Sequence, residues 1–293
     1  MDSNLIQSFK SSLRYKSSSQ LAKPFTSPRR FLNNQLRQRV RPRAGTLQIV
    51  HAFHMDRFHI VAGELVSEGI ACYGIMESNL TGAFLNLIKP GQTALDVGMH
   101  LGYFSTLMAR LVGPSGTVHS FEPTPSTRDF AAKNTEQFPN ITVHPNAMWS
   151  HHEKMNFHDY GVVHMAFNSM STARMEEQIE SAREFEVEAI SLDEFRDNTG
   201  EKIDVIKIDA ENAELEIITG GQQTLLKDRP IVSLEVGDEA TQAGRSRLLV
   251  ETMVGLEFVP WEFNNGKFHK HAVRDKYVYD NLIFAPVERP LNL

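Results

Sequence analysis

The chain has 293 residues, a single cysteine and a net charge of −6 at pH 7. At about 150 residues per domain, this length suits two domains or one large α/β domain with a full-sized core. The lone Cys72 excludes an internal disulfide and a cysteine-built zinc cluster and suggests a reducing compartment, the cytoplasm, while no apolar run reaches the roughly 18 residues of a membrane span.

The net charge hides a split. Residues 1–45 carry ten basic side chains, from Lys10 to Arg43, and one acid, Asp2, for +9; the remainder carries −15. Eight serines fill the same head, and its apolar residues thin out after Tyr15. A segment so poor in apolar surface is expected to be a solvated, disordered tail. Its Arg- and Ser-rich composition also matches an organelle transit peptide. Its charge matches a tether to anionic membrane or nucleic acid. No aromatic interleaving supports specific nucleic-acid readout.

The texture changes at residue 46. Residues 46–88 read as an N-terminal extension, and residues 89–293 as a catalytic domain. Thr93–Val97 is a buried strand. Tyr103–Val112 places Tyr103, Phe104, Leu107, Met108, Leu111 and Val112 at helical spacing, and Gly113-Pro114-Ser115-Gly116 stops it. Thr117–Phe121 is a second strand, Ser126–Asn134 a helix and Ile141–His144 a third strand. Residues 155–190 suggest extra strands or a lid. Ile203–Ile208 is the next buried strand, followed by a helix to Thr219 that Gly220-Gly221 would cap. Ile231–Glu235 is a strand, Thr241–Val254 a helix, Glu257–Trp261 a strand, and Asn281–Ala285 closes the pattern. This alternation predicts a doubly wound, mostly parallel sheet whose ligands sit outside the carboxyl ends of the strands.

The chemistry is therefore sought at strand ends. The first strand ends Asp96-Val97-Gly98-Met99-His100-Leu101-Gly102. Its G-x-x-x-G spacing is not the G-x-G-x-x-G of a dinucleotide site. An acid at Asp96 repels a pyrophosphate and accepts hydrogen bonds from an ammonium group. That suits S-adenosylmethionine better than a nicotinamide dinucleotide. The second strand ends in Glu122, 20 residues after Gly102, where a carboxylate can hold two ribose hydroxyls. Asp209 and Glu211 leave the strand Ile203–Ile208, and Glu235 ends the next. The plainer role for the first two is to cap the following helix.

Five stretches together carry a family resemblance: ElVSEGIacYGimE at Glu64–Glu77, KPGqTaLDVGmHlGYFS at Lys89–Ser105, VHSFEPTPST at Val118–Thr127, SLDEF at Ser191–Phe195 and IDVIKIDAENAELEIITGG at Ile203–Gly221. Over about residues 58–286 the chain resembles the FkbM family of S-adenosylmethionine-dependent methyltransferases. The resemblance implies a class I (Rossmann-like) methyltransferase fold, a seven-stranded, mostly parallel sheet with helices on both faces. It implies methyl transfer to a hydroxyl of a sugar, glycan or natural product. By position, Asp96, Gly98 and Gly102 would line the methionyl side of the cofactor, Glu122 would hold its ribose, and Asn146-Ala147 would border its adenine. Glu77 would touch the cofactor, and Asp209 would face the methyl-transfer site.

The chain departs from the family at two places. Met99-His100 stands for Ala-Asn, and Glu211-Asn212 for Glu-Gly. His100 can replace the asparagine's hydrogen bonds, and Asn212 tolerates left-handed backbone. Asp209 or Glu211 is the expected base for the acceptor hydroxyl. The histidines His144, His151, His152, His158 and His164 are its competitors. Asp209, Glu235 and Asp238 could be cast as magnesium ligands, although no metal is expected. The acidic body disfavours a nucleic-acid acceptor. The acceptor pocket is expected from residues 46–88 and 155–190, whose aromatics Phe53, Phe58, Tyr73, Phe84, Phe157, Tyr160 and Phe167 are either sugar platforms or core. Two rival functions remain at this level: a cofactor-binding module without turnover, and a nicotinamide-dependent dehydrogenase. The oligomeric state is not legible.

Overall fold

The computed structural model describes residues 3–165, 183–210, 212–237, 244–278 and 280–291. The first 45 residues differ from the expected disordered tail. They form helices α1 (Ser3–Ser17), α2 (Lys23–Thr26) and α3 (Pro28–Val40). The physical reason lies in spacing. Leu5, Phe9, Ser12 and Tyr15 fall three or four residues apart, which places them on one helix face, and all four are buried. The Phe9 ring meets Phe53 at 5.4 Å. Asn34 of α3 donates to the Tyr15 hydroxyl at 3.2 Å and to the Cys72 carbonyl at 2.9 Å.

The extension follows as a hairpin of β1 (Leu47–Ala52) and β2 (Met55–Val61), then α4 (Leu65–Tyr73) and α5 (Ser78–Leu87). Glu64 caps α4, its two carboxylate oxygens accepting from the Val66 and Ser67 amides at 2.9 and 2.7 Å.

The main sheet is built from β3 (Thr93–Val97), β4 (Thr117–Phe121), β5 (Ile141–His144), β9 (Val205–Ile208), β10 (Ile231–Val236), β11 (Phe258–Asn264), β12 (Lys267–Lys270) and β13 (Asp280–Pro286). Their spatial order is β12-β11-β13-β10-β9-β3-β4-β5. Strands β10, β9, β3, β4 and β5 are parallel, and β13 runs against both its neighbours. Seven of these form the expected class I sheet. The eighth, β12, extends its edge by a short hairpin with β11.

Helices cover both faces. They are α6 (Tyr103–Val112), α7 (Pro125–Thr135), α8 (Leu192–Thr199), α9 (Glu214–Thr219), α10 (Gln222–Asp228) and α11 (Arg245–Gly255). Because alternate side chains leave opposite faces of a strand, the sheet divides two apolar clusters. Ala94, Val205, Ile231 and Ile283 join Leu107 and Met108 of α6 and the extension. Their neighbours Leu95, Ile206, Val232 and Phe284 join residues of α8, α9 and α11. Strands β6 (Ala147–Trp149), β7 (Glu153–Asp159) and β8 (Arg183–Ser191) form a separate three-stranded sheet beside the end of β5. Of these, β7 and β8 supply the extra strands expected around residues 155–190, and β6 precedes that range.

The double glycine works differently from a left-handed cap. Gly220 has φ −80, and a Cβ there would lie 2.5 Å from the Trp149 carbonyl oxygen. Close approach, not backbone hand, demands glycine. The chain then re-enters a helix at once. The Asp193 carboxylate accepts from the Gln223 and Thr224 amides at 3.1 and 2.7 Å and so starts α10.

Tyr15→Ala is expected to open the arm, because removing a buried ring costs about 3–5 kcal/mol. Tryptic cleavage within residues 10–43 is then expected to rise by at least about tenfold. Equally fast cleavage in the unsubstituted protein would mean the arm is a solvated tail.

Candidate active site

The registers of β3, β4, β9 and β10 bring the strand-end residues to one rim. Asp96 lies opposite Lys207, Val97 opposite Phe121, and Ile208 opposite Leu234. Beyond β3 the chain turns through left-handed conformations at Gly98, His100 and Gly102, with φ of 76, 50 and 80. The Gly98 and Met99 amides both donate to the Phe121 carbonyl at 3.1 Å. A Cβ on Gly98 would lie 1.8 Å from the Asp209 carbonyl oxygen. Glycine is thus required by the contact between two strand ends as well as by the backbone hand. Gly102 opens α6.

The centre of the rim is a residue that motif reading passed over. Lys207 is 2% exposed. Its ammonium lies 3.3 Å from Asp96 Oδ1 and 3.4 Å from Asp209 Oδ2, and donates to the Gly98 carbonyl at 3.2 Å. It also lies 5.5 Å from the centre of the Phe104 ring. Burial works against its charge, but Asp209 and Asp96 more than offset that and hold the ammonium well above the ordinary lysine range. The signal was present in the strand VIKI. Ile206 and Ile208 face one apolar cluster, so Lys207 must point into the opposite face and needs counter-charges there.

Asp96 is fully buried. Ser105 donates to its Oδ2 at 2.6 Å, and Ser120 donates to Ser105 at 2.9 Å. Burial pushes its carboxyl above the usual range, against the pull of Lys207 and Ser105. Asp96 therefore sits beneath the turn, engaged with Lys207 and Ser105. Asp209 differs. Its side chain is 22% exposed. Burial opposes its charge too, but Lys207 and a side-chain hydrogen bond with Glu235 bring it below the usual carboxylate range.

Glu122 is 7% exposed at the end of β4. Its Oε1 accepts from the Thr124 amide at 3.0 Å and its Oε2 from the His100 amide at 3.1 Å. Burial raises it to about 7, against those backbone donors. Each oxygen keeps a further acceptor site, so the group fits a pair of adjacent hydroxyls such as those of a ribose. The Glu122 amide pairs with the His144 carbonyl, which brings Asn146 and Ala147, just beyond β5, toward the same end of the sheet. Asn146 also donates to the Glu188 carbonyl at 3.3 Å.

His100 meets Glu122 through its backbone, while its ring lies 3.9 Å from Glu64. Burial pulls the imidazole below its ordinary range, against Glu64 and Asp209. Glu77 takes left-handed backbone at φ 37 and accepts from Asn281 at 2.9 Å. Asn281 lies opposite Glu235 across the β10–β13 ladder, and the Glu77 charge acts on Lys207. Glu77 thus joins the rim from the extension. Asn212 has φ 76, the glycine-like hand expected there. Buried Glu214 accepts from the Ala210 amide at 2.9 Å and fastens the loop that follows Asp209. Burial raises it to about 7. Glu211, Asp238 and Phe167 lie outside the described residues.

The histidines do not converge. His144 bonds His119 at 3.0 Å and stacks on Phe121. His158 stacks on Tyr160. His151 lies 3.5 Å from Glu153. His152 is exposed between Glu188 and Glu194 at 3.1 and 2.9 Å, so it has acidic partners that spacing did not show. Among the described residues no three His, Cys, Asp or Glu form a metal-holding group. The charges of Asp96 and Asp209 are answered by Lys207. Phe53, Phe58, Phe84, Phe157 and Tyr160 are buried, so they serve the core.

A model of the methyltransferase FkbM domain matches residues 96–267, more than half of the chain. The chain belongs to the FkbM methyltransferase family. That family is one of S-adenosylmethionine-dependent methyltransferases, and membership in it counts against the dehydrogenase reading. Among curated proteins, the protein-L-isoaspartate O-methyltransferase of Aeropyrum pernix is 38% identical over 65 residues, 22% of this chain and 25% of that protein. The enzyme so named from Methanothrix thermoacetophila is 42% identical over 50 residues, 17% and 24% of the two chains. The chain thus spans about a quarter of the curated relatives it matches. Among solved structures, an FkbM methyltransferase from Methylobacillus flagellatus KT is 11% identical, with 74% of this chain and 52% of that chain covered and a TM-score of 0.41. Aeropyrum pernix fibrillarin with natively bound S-adenosylmethionine is 13% identical, with 70% and 73% covered and a TM-score of 0.42. Among the described residues no helix is long and apolar enough to cross a membrane.

Hydroxyl donors favour ionised Glu122, whose carboxyl in the cofactor-free chain titrates at about 7. Ligand binding then lowers its pKa, so affinity is lost as pH falls through 7. S-adenosylhomocysteine is expected to bind about tenfold more weakly at pH 6 than at pH 8, and Glu122→Gln to bind weakly at both. Calorimetry reads this; a flat profile in the unsubstituted protein would remove Glu122 from the ribose.

Proposed function

We propose that the chain methylates a neutral hydroxyl, on a sugar, glycan or natural product, with Asp209 orienting that hydroxyl. The observation that carries this reading is Asp209 itself. It is an ionised carboxylate held on Lys207 and Glu235, yet part of it reaches the surface of the rim. S-adenosylmethionine, when bound, supplies a methyl group on a sulfonium, which is open to in-line attack by oxygen. Glu122 would hold the ribose, Asn146 and Ala147 would border the adenine, and the turn Gly98–Gly102, with His100, would line the methionyl side. Asp96 would act through Lys207 rather than by contact. Glu77 would bound the site from the extension.

Asp209 would accept the hydroxyl hydrogen bond and align the oxygen, then take the proton as the oxygen–carbon bond forms and the carbon–sulfur bond breaks. Its lowered pKa makes it an ionised acceptor at neutral pH. Glu211 is proposed beside it on its place in the sequence. The rim also carries the carboxyl groups of Glu77, Glu122 and Glu235, and its ammonium is buried and paired. That charge suits a neutral acceptor over a carboxylate or a phosphate chain. The cytoplasm is the compartment proposed for the chain.

Asp209→Asn is expected to lower turnover by at least about 10²-fold while S-adenosylhomocysteine affinity stays within about threefold. Product formation should be assayed with neutral glycosides, oligosaccharides and an isoaspartyl peptide. Full turnover in Asp209→Asn, or activity confined to the peptide, would contradict the reading. Cofactor binding with no turnover on any acceptor would favour a binding module.

A further inference from the structure

Helix α3, unlike α1, is amphipathic in the wrong sense for a helix packed on a protein. The side chains of α3 that reach the body are polar. Asn34 bonds Tyr15 and the Cys72 carbonyl. Arg37 bonds Glu68 at 2.7 Å. Arg30 bonds Ser12 at 2.9 Å and also the Tyr73 carbonyl. The opposite face carries Leu32, Leu36 and Val40, four residues apart, which are 64%, 62% and 69% exposed. Phe25 and Leu21, around α2, are 86% and 87% exposed. A helix that owed its place only to the core would turn those leucines inward.

Cations flank the stripe. At 100° per residue, Arg29 and Arg39 fall on the same side of α3 as Leu32, Leu36 and Val40. Arg41 and Arg43 follow its last turn, and all four arginines are exposed. An exposed apolar row edged by arginines is the composition of a helix lying in a lipid–water interface. A nucleic acid would use the cations and leave the leucines wet. A cleaved leader has no use for a buried Tyr15 and Leu5.

We propose that α2 and α3 seat the protein on an anionic lipid surface, with Phe25, Leu32, Leu36 and Val40 entering the acyl boundary and Arg29, Arg39, Arg41 and Arg43 meeting the headgroups. The negatively charged cytoplasmic leaflet is such a surface. The arm packs on α4 and, through Lys16 and Ser78 at 3.5 Å, reaches the first residue of α5 beside Glu77. The lipid contact would therefore lie on the element that leads into the catalytic rim.

The test is co-sedimentation of the full chain with vesicles. Phosphatidylcholine vesicles with a third phosphatidylserine are expected to retain it at least about tenfold better than pure phosphatidylcholine, and salt to weaken retention. The surface variant L32S/L36S/V40S should lose at least about tenfold in retention while keeping S-adenosylhomocysteine affinity, which reports an intact body. R29Q/R39Q/R41Q/R43Q should lose the preference for phosphatidylserine. Any of three results would overturn the proposal. One is retention that ignores lipid charge. Another is full retention of the leucine variant. The third is a dimer that the leucine variant splits, or an oligonucleotide bound through the arginines alone, in a protein that vesicles do not retain.

Discussion

A buried ammonium sets the terms for the rim at the strand ends. Lys207 sits in the middle of a parallel sheet, in a position its strand period assigns to the core, and an uncompensated charge there is untenable. Asp96 from β3, Asp209 from the end of β9 and the Gly98 carbonyl answer it. These partners come from two adjacent strands and the turn between sheet and α6. Removing one member of such a buried group costs about 3–5 kcal/mol, because the others are left without a partner. The same contacts that stabilise the sheet therefore fix where Asp209 points.

The turn after β3 follows from that arrangement. For Lys207 to reach the Gly98 carbonyl, the strand ends must approach so closely that no Cβ fits at residue 98. Left-handed backbone at Gly98 and His100 then brings the His100 amide onto Glu122. One lysine is thus coupled, through a glycine and a backbone amide, to the carboxylate proposed for the ribose. Glu77 adds a link from outside the sheet, through Asn281 and the charge of Lys207. This explains how the extension can influence a site built on strands.

Much of this was legible in the sequence. Apolar runs bounded by glycines and prolines located Thr93–Val97, Thr117–Phe121 and Ile141–His144 to the residue, and the acids at strand ends located the rim. What escaped was whatever depends on contacts between distant segments. Lys207 is a single charge inside an apolar run, and only the register, which places Asp96 opposite it, shows its role. The histidines looked like a cluster in sequence, whereas pleating and loops scatter them. The basic head looked too polar to fold, because composition averages over the four positions that form its buried face. Gly220-Gly221 read as a cap, while the reason for Gly220 is the carbonyl of Trp149 at the end of β6. Arm and glycines alike depend on close approach, which one-dimensional spacing does not report.

The central claim is that Lys207 stays charged inside the sheet, held there by Asp209 and Asp96. The direct measurement is the titration of its side-chain nitrogen by NMR, in protein labelled with ¹⁵N-lysine and assigned with Lys207→Met. The account predicts a Lys207 signal that keeps the ammonium shift, and slow proton exchange, at pH values where the surface lysines have lost their protons. A Lys207 that deprotonates with the surface lysines or before them would contradict it.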